Sequence, residues 1–174
     1  SLEIPENVAE KIFLVQKALP EFKGKLTEKE NLHLTLKFLG EIDGKTIEKV
    51  KQLLSKISFS GFEAALEETG VFPEGRVRIV WIHLSGAEEL QKAVDDSLAG
   101  LFQKEKRFAG HVTIARVKSV ENRPEFLDAL KQISPEKTVF GISSFVLFKS
   151  ELTKKGPVYG ELARFPCGQT SNRK

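Results

Sequence analysis

The chain has 174 residues, enough for one large domain or for two small lobes that share a core. Lysine and arginine together number 27 against 24 acidic residues, and the resulting net charge of +3 neither requires nor excludes a nucleic acid partner. A single cysteine, Cys167, excludes an intrachain disulfide framework and a multi-cysteine metal site, and it favours a reducing, cytoplasmic setting. No apolar run approaches the roughly 20 residues of a membrane span, and no signal peptide is visible.

Helical and strand patterns alternate along the chain without a low-complexity linker. Apolar residues at helical spacing predict helices over residues 6–19, 45–57, 88–102 and 124–133. Strand patterns occupy residues 32–39, 61–66, 77–84, 111–117, 138–149 and 158–165. Because several predicted strands follow one another through short turns, we expect an α+β fold with mostly antiparallel sheets.

Two of the three histidines lie in a repeated pattern of His, apolar residue, Thr, apolar residue, which begins at His33 and again at His111. Residues i and i+2 of a strand share one face, so His33 points with Thr35 and His111 points with Thr113. One copy alone is typical of an ordinary half-buried strand. The second copy predicts two half-sites that face one cleft.

Two imidazoles and two hydroxyls suit the opening of a cyclic phosphodiester. One histidine deprotonates water while the other protonates the leaving oxygen, and the threonines donate hydrogen bonds to the phosphate. The third histidine, His83, lacks a threonine two residues on, so we interpret it as structural. No HExxH or His-x-His motif is present, and the sequence predicts neither a metal nor a cofactor.

The segments NLHLTLKFLGEI, GHVTIARVK and LFKSELTKKGPVYGELARF resemble the two-histidine (2H) phosphoesterases. Within them, the chain is most similar to the LigT-like RNA 2′,3′-cyclic phosphodiesterases, formerly called 2′-5′ RNA ligases. The resemblance covers most of the chain and implies a bilobal α+β fold whose two pseudo-symmetric halves enclose a V-shaped cleft. It also implies one domain over residues 1–174, with two interleaved lobes that each carry one His-x-Thr strand. Such proteins usually open with a complete strand before the first helix, and here only residues 1–4 are available for it.

The resemblance further implies a substrate and roles. The family converts RNA ends that carry a 2′,3′-cyclic phosphate into 2′-phosphomonoesters, and some members slowly join tRNA halves through a 2′-5′ bond without ATP. His33 would protonate the leaving 3′ oxygen and His111 would activate the water. We therefore expect a monomeric enzyme with an RNA substrate, no membrane partner and no cofactor.

Four flanking residues are weaker candidates for substrate binding. Lys37 shares strand parity with the first motif, so it either reaches a phosphate or lies in solvent. Arg116 has the opposite parity to the second motif, and the phosphate contact that the resemblance implies for it requires a bulge or the end of the strand. Phe38 matches a recurring aromatic of the family that supports a base, although core packing is the commoner role. Tyr159 lies in the C-terminal match and either lines the cleft or packs.

Two alternatives remain open. The same site could act on another nucleotide, such as ADP-ribose cyclic phosphate or an oligoadenylate with 2′-5′ linkages. The chain could instead be an RNA-binding module with a vestigial site, although binding alone needs neither histidine. Turnover of a nucleoside 2′,3′-cyclic phosphate in chelator would exclude the binding module.

Overall fold

The structure is a computed structural model that describes residues 1–73, 75–153 and 156–168. The helices within these ranges are α1 (Glu6–Ala18), α2 (Gly44–Leu54), α3 (Glu88–Leu98) and α4 (Arg123–Lys131). The strands are β1 (Leu2–Glu3), β2 (Lys23–Leu26), β3 (His33–Leu34), β4 (Phe62–Phe72), β5 (Ile79–Ser85), β6 (His111–Ser119), β7 (Thr138–Ile142), β8 (Ser144–Leu152) and β9 (Pro157–Pro166). None of these helices is long and apolar enough to cross a membrane.

The strands form two antiparallel sheets, as the sequence predicted for an α+β fold. The larger sheet has the order β1-β3-β6-β5-β4-β7, with β2 also paired to β6, and the smaller sheet contains β8 and β9. Strand β6 therefore contacts β2, β3 and β5, and it lies at the centre of the larger sheet. The second His-x-Thr motif therefore begins a strand that pairs with three others.

The core explains which way the motif residues point. Leu34, Val112 and Ile114 have no solvent exposure, and they pack in one apolar cluster with the buried face of α1. Side chains alternate along a strand, so the histidines and threonines between these apolar residues point to the opposite, open face. The apolar positions of the two motifs thus fix the direction of the polar ones.

Several predicted strand boundaries are wrong. Only His33–Leu34 is paired within the strand predicted over residues 32–39, and the segment ends at Gly40, whose φ of +71° favours glycine. The strand predicted over 138–149 is two strands in different sheets, separated at Ser143. Strand β2 was not predicted, and the third helix ends at Leu98 rather than at residue 102.

Candidate active site

Both His-x-Thr motifs line one open cleft of about 430 Å³. His33, Thr35, His111 and Thr113 all contribute to its wall. The structure therefore brings together the four residues that the duplicated pattern singled out.

The two motifs lie side by side because β3 pairs with β6. Leu34 pairs with Val112 in this ladder, and each of them is the residue between histidine and threonine in its motif. Antiparallel pairing relates the two strands by a local two-fold axis, and here that axis passes through this pair. The two half-sites are therefore related by approximate symmetry within a single sheet.

His33 is half-buried, and a backbone carbonyl two residues upstream orients its ring. Its Nδ1 lies 2.9 Å from the carbonyl oxygen of Asn31, and its ring meets that of Tyr159 edge-on at 4.7 Å between centroids. A carbonyl only accepts, so Nδ1 carries the proton and Nε2 is left for a substrate. Burial lowers the pKa of His33 below its ordinary value; the bond to Asn31 opposes this shift, and the positive charge of Arg116 adds to it.

His111 has a matching arrangement. Its Nδ1 lies 2.7 Å from the carbonyl oxygen of Ala109, also two residues upstream. Its ring packs edge-on against Phe72 at 5.2 Å between centroids, and it lies tilted against Trp81 at 6.4 Å. Both histidines thus donate from Nδ1 to a carbonyl and leave Nε2 available, which is the geometry that a pair of acid–base groups requires.

A β-bulge turns Arg116 into the cleft. Trp81 pairs with Thr113, whereas the preceding residue of β5 pairs with Ala115, so Ile114 is an extra residue in β6. Ile114 and Ala115 are consecutive and both fully buried, which shifts the alternation by one residue. Arg116 consequently faces the cleft with Thr113. The bulge that a cleft position for this arginine required is present.

Lys37 does not lie in the cleft, so both sequence-based alternatives for it are wrong. Its side chain is only 3% exposed and forms a hydrogen-bonded ion pair with the buried Asp95. Its Nζ also donates to the carbonyl oxygen of Gln103 at 2.7 Å, and Asp95 accepts from the backbone N–H of Glu105 at 2.8 Å. The strand parity that placed Lys37 beside the first motif fails because β3 ends at Leu34.

The other two flanking candidates line the cleft. Phe38 is 77% exposed at its wall, so the core-packing interpretation of this residue is wrong. Tyr159 reaches the cleft from β9 and packs against His33. Both rings offer an apolar face near the first motif, where a base could stack.

His83 lies beside the site rather than in it. It is the cross-strand partner of His111, and it is absent from the cleft wall. Its Nδ1 lies 3.0 Å from a carboxylate oxygen of Glu67 and 3.6 Å from one of Glu68. Each of these three residues has a ligand atom within 4.8 Å of the others, a grouping that sequence motifs did not reveal because a bulge in β4 creates it.

The ring of Trp81 packs against His111 and over Gly70. Its ring lies 4.9 Å from that of Phe72 between centroids. A Cβ atom built on Gly70, its cross-strand partner, would lie 2.2 Å from the indole ring, so only glycine leaves room for this packing.

Comparison with known proteins defines the class to which this site belongs. The model of the LigT-like phosphoesterase family matches residues 2–81 and 84–159, so the chain belongs to that family and is a phosphodiesterase. It is 37% identical over 166 residues to the RNA 2′,3′-cyclic phosphodiesterase of Methanocaldococcus jannaschii, a match that covers 91% of this chain and 94% of that relative.

Two solved structures show the same fold. The crystal structure of TT0787 of Thermus thermophilus matches with a TM-score of 0.81 and 28% identity, over 95% of this chain and 94% of the other. Escherichia coli LigT complexed with 3′-AMP matches with a TM-score of 0.79 and 25% identity, over 97% of this chain and 95% of the other. The predicted fold family is therefore confirmed.

Proposed function

We propose that this enzyme opens the 2′,3′-cyclic phosphate at the end of an RNA and leaves a 2′-phosphomonoester. The observation that carries the proposal is the pair of His-x-Thr motifs in one cleft, with both histidines in the same hydrogen-bonded orientation. The names of the similar relatives support an RNA substrate. We treat residues 1–174 as one domain, because the cleft is lined by residues from Gly24 to Tyr159.

The reaction needs one base and one acid. His111 takes a proton from water as the water oxygen attacks phosphorus, and His33 gives a proton to the 3′ oxygen as the bond from phosphorus to that oxygen breaks. Thr35 and Thr113 donate hydrogen bonds to the non-bridging oxygens, where negative charge increases in the transition state. Arg116 adds a fixed positive charge at the same phosphate. These groups complete the reaction without a metal or another cofactor.

To act as the acid, His33 must be protonated when the substrate is bound. Burial lowers its pKa, so the neutral form is favoured in the free enzyme. A bound phosphate brings a negative charge that favours the protonated form. We infer that substrate binding and protonation of His33 are coupled, and that an RNA without its terminal phosphate leaves this histidine neutral.

The same groups also support ligation, in which the hydroxyl of a second RNA takes the place of water. A 5′ hydroxyl of a second RNA that replaces water would attack the same phosphorus and displace the same 3′ oxygen. The product would be a 2′-5′ bond, formed without ATP because the cyclic ester supplies the leaving group. This activity accompanies hydrolysis in our proposal, with tRNA halves as candidate substrates.

Product analysis tests the proposal. An oligonucleotide that ends in a 2′,3′-cyclic phosphate is digested in excess EDTA, and the product is treated with an enzyme that removes only 3′-phosphates. We expect full turnover in EDTA and a product that resists the second enzyme. A product that loses its phosphate would show that the 2′ oxygen was displaced and that the roles of His33 and His111 must be exchanged.

Chelation also examines the metal-free mechanism. If EDTA abolishes turnover and Zn²⁺ or Mn²⁺ restores it, the mechanism is wrong. In that case the group formed by Glu67, Glu68 and His83 is the first place to look for the ion. The variant His83→Gln would then lose the metal-dependent activity, whereas under our mechanism it keeps normal turnover.

A further inference from the structure

Three residues with metal-ligating side chains, His83, Glu67 and Glu68, meet where β4 pairs with β5. A regular strand points consecutive side chains to opposite faces, so two neighbouring glutamates would not normally reach one histidine. The register of β4 shifts between Leu66 and Thr69, and this bulge sets both glutamates opposite His83. The bulge therefore brings together one imidazole and two carboxylates from two strands.

The two glutamates carry more negative charge than His83 can balance. One ligand atom from each of the three residues lies within 4.8 Å of the other two. In the described part of the chain, neither Glu67 nor Glu68 forms an ion pair with a lysine or an arginine, and His83 is the partner of both. An imidazole carries at most one positive charge, so at least one negative charge is left without compensation. A divalent cation would balance it.

The spacing of these atoms is close to that of ligands around one ion. Nδ1 of His83 lies 3.0 Å from an oxygen of Glu67 and 3.6 Å from an oxygen of Glu68. Metal–ligand bonds of about 2.0–2.1 Å at tetrahedral or octahedral angles place neighbouring ligands about 2.8–3.4 Å apart. The side chain of Glu68 is 65% exposed, so a small rotation closes the remaining gap.

We propose that His83, Glu67 and Glu68 bind one divalent transition-metal ion of the Zn²⁺ class. An imidazole nitrogen with two carboxylate oxygens suits Zn²⁺, Ni²⁺ or Cu²⁺, whereas Mg²⁺ and Ca²⁺ prefer oxygen ligands alone. The ion joins β4 to β5 where the bulge interrupts the ladder of hydrogen bonds, so it stabilises the strands next to the second motif. None of the three ligands belongs to the described cleft wall, so the ion takes no part in the reaction.

Titration of the purified chain with Zn²⁺ alone tests the site. The protein is treated with EDTA, the chelator is removed, and binding is measured by isothermal titration calorimetry. We expect one ion per chain, and an affinity at least about tenfold lower in His83→Gln or Glu68→Gln, because each variant removes one of three ligands. The control Glu63→Gln removes an exposed carboxylate of the same strand, outside the group, and should bind Zn²⁺ as the wild type does.

The two histidines of the cleft are the alternative site for the ion, because they also present imidazole nitrogens. Under our proposal, His33→Ala and His111→Ala retain the Zn²⁺ affinity of the wild type. Loss of binding in either alanine variant, together with full binding in His83→Gln, would overturn the proposal. Mg²⁺ binding as strong as that of Zn²⁺, and unchanged in His83→Gln, would also overturn it, since such a site needs only carboxylates.

Thermal unfolding measures the structural role of the ion. With Zn²⁺ at about 100 times its Kd, Tm of the wild type should rise by about 5–11 °C, and Tm of His83→Gln should rise by at most about half as much. An equal response of Tm to Zn²⁺ in the wild type and in His83→Gln would contradict the assignment. None of these measurements uses turnover, so their outcome does not depend on the proposed reaction.

Discussion

Replacement of Lys37 separates a structural role from a substrate-binding role. The change Lys37→Met keeps an unbranched side chain that is one atom shorter and removes the charge, which leaves the carboxylate of Asp95 buried without its partner. Breaking a buried ion pair typically costs about 3–5 kcal/mol. We expect a cost of about 2–4 kcal/mol, because Asp95 keeps its hydrogen bond from the backbone of Glu105.

That loss is large enough to measure by thermal unfolding. For a chain of this size each kcal/mol lowers Tm by about 2–4 °C, so Lys37→Met should lower Tm by about 4–16 °C. The control Lys131→Met removes an exposed ion pair with Asp128, with both side chains more than 70% exposed, and should change Tm by less than about 2 °C. The double variant Lys37→Met, Asp95→Leu should recover part of the loss, since no buried charge remains.

A different result would refute this reasoning. If Lys37→Met has the Tm of the wild type and a strongly raised KM, the lysine binds substrate and the buried pair does not describe the protein in solution. If the double variant is less stable than Lys37→Met by the full cost of a second buried defect, the free energy comes from packing rather than from charge.

Three further predictions concern the cleft. His33→Ala and His111→Ala should each reduce kcat/KM for a cyclic phosphate about 10²-fold to 10⁴-fold, while the matched control His83→Gln retains activity; near-normal turnover by either alanine variant would exclude the acid–base mechanism. Thr35→Val and Thr113→Val should each cost about 10-fold to 10³-fold with no loss of fold by circular dichroism, and unchanged kinetics in both would assign the hydroxyls no role at the phosphate. An NMR titration of the free enzyme should give His33 a pKa below that of an ordinary histidine. Because the unfolded chain then binds this proton at higher pH than the folded chain, the free energy of unfolding should fall as the pH drops from about 6.5 through the lowered pKa, and His33→Gln should lose this part of the pH dependence.

Periodicity predicted the site better than it predicted the strands. The duplicated motif predicted that both histidines and both threonines face one cleft, because polar residues that alternate with buried ones share a face, and all four line it. The same alternation gave the wrong position for Lys37. The paired strand ends at Leu34, and side chains beyond the end of a strand do not have to alternate between two faces. Alternation also fails between Thr113 and Arg116. The extra buried residue, Ile114, exchanges the faces to which the following side chains point, and no local feature of the sequence predicts it.

Strand β2 was missed for a different reason. All four of its residues are exposed, and its sequence of lysine, glycine, lysine and leucine has neither alternation nor β-branched residues. Its pairing with β6 is decided by the chain around it rather than by its own composition. The cleft therefore has one wall that single-sequence reasoning could not predict, and this wall carries Lys25.

The candidate site is sensitive to substitution at Gly70, which lies outside the cleft wall. The indole of Trp81 occupies the space where a side chain at position 70 would be, and the same indole packs against His111. Even a methyl group at position 70 must displace the indole of Trp81, and this displacement would change the packing of the indole against His111. A change from glycine to alanine, which most strands tolerate, should here inactivate the enzyme although position 70 is not part of the cleft wall. Genetic screens for loss of function should therefore recover position 70 alongside the histidines themselves.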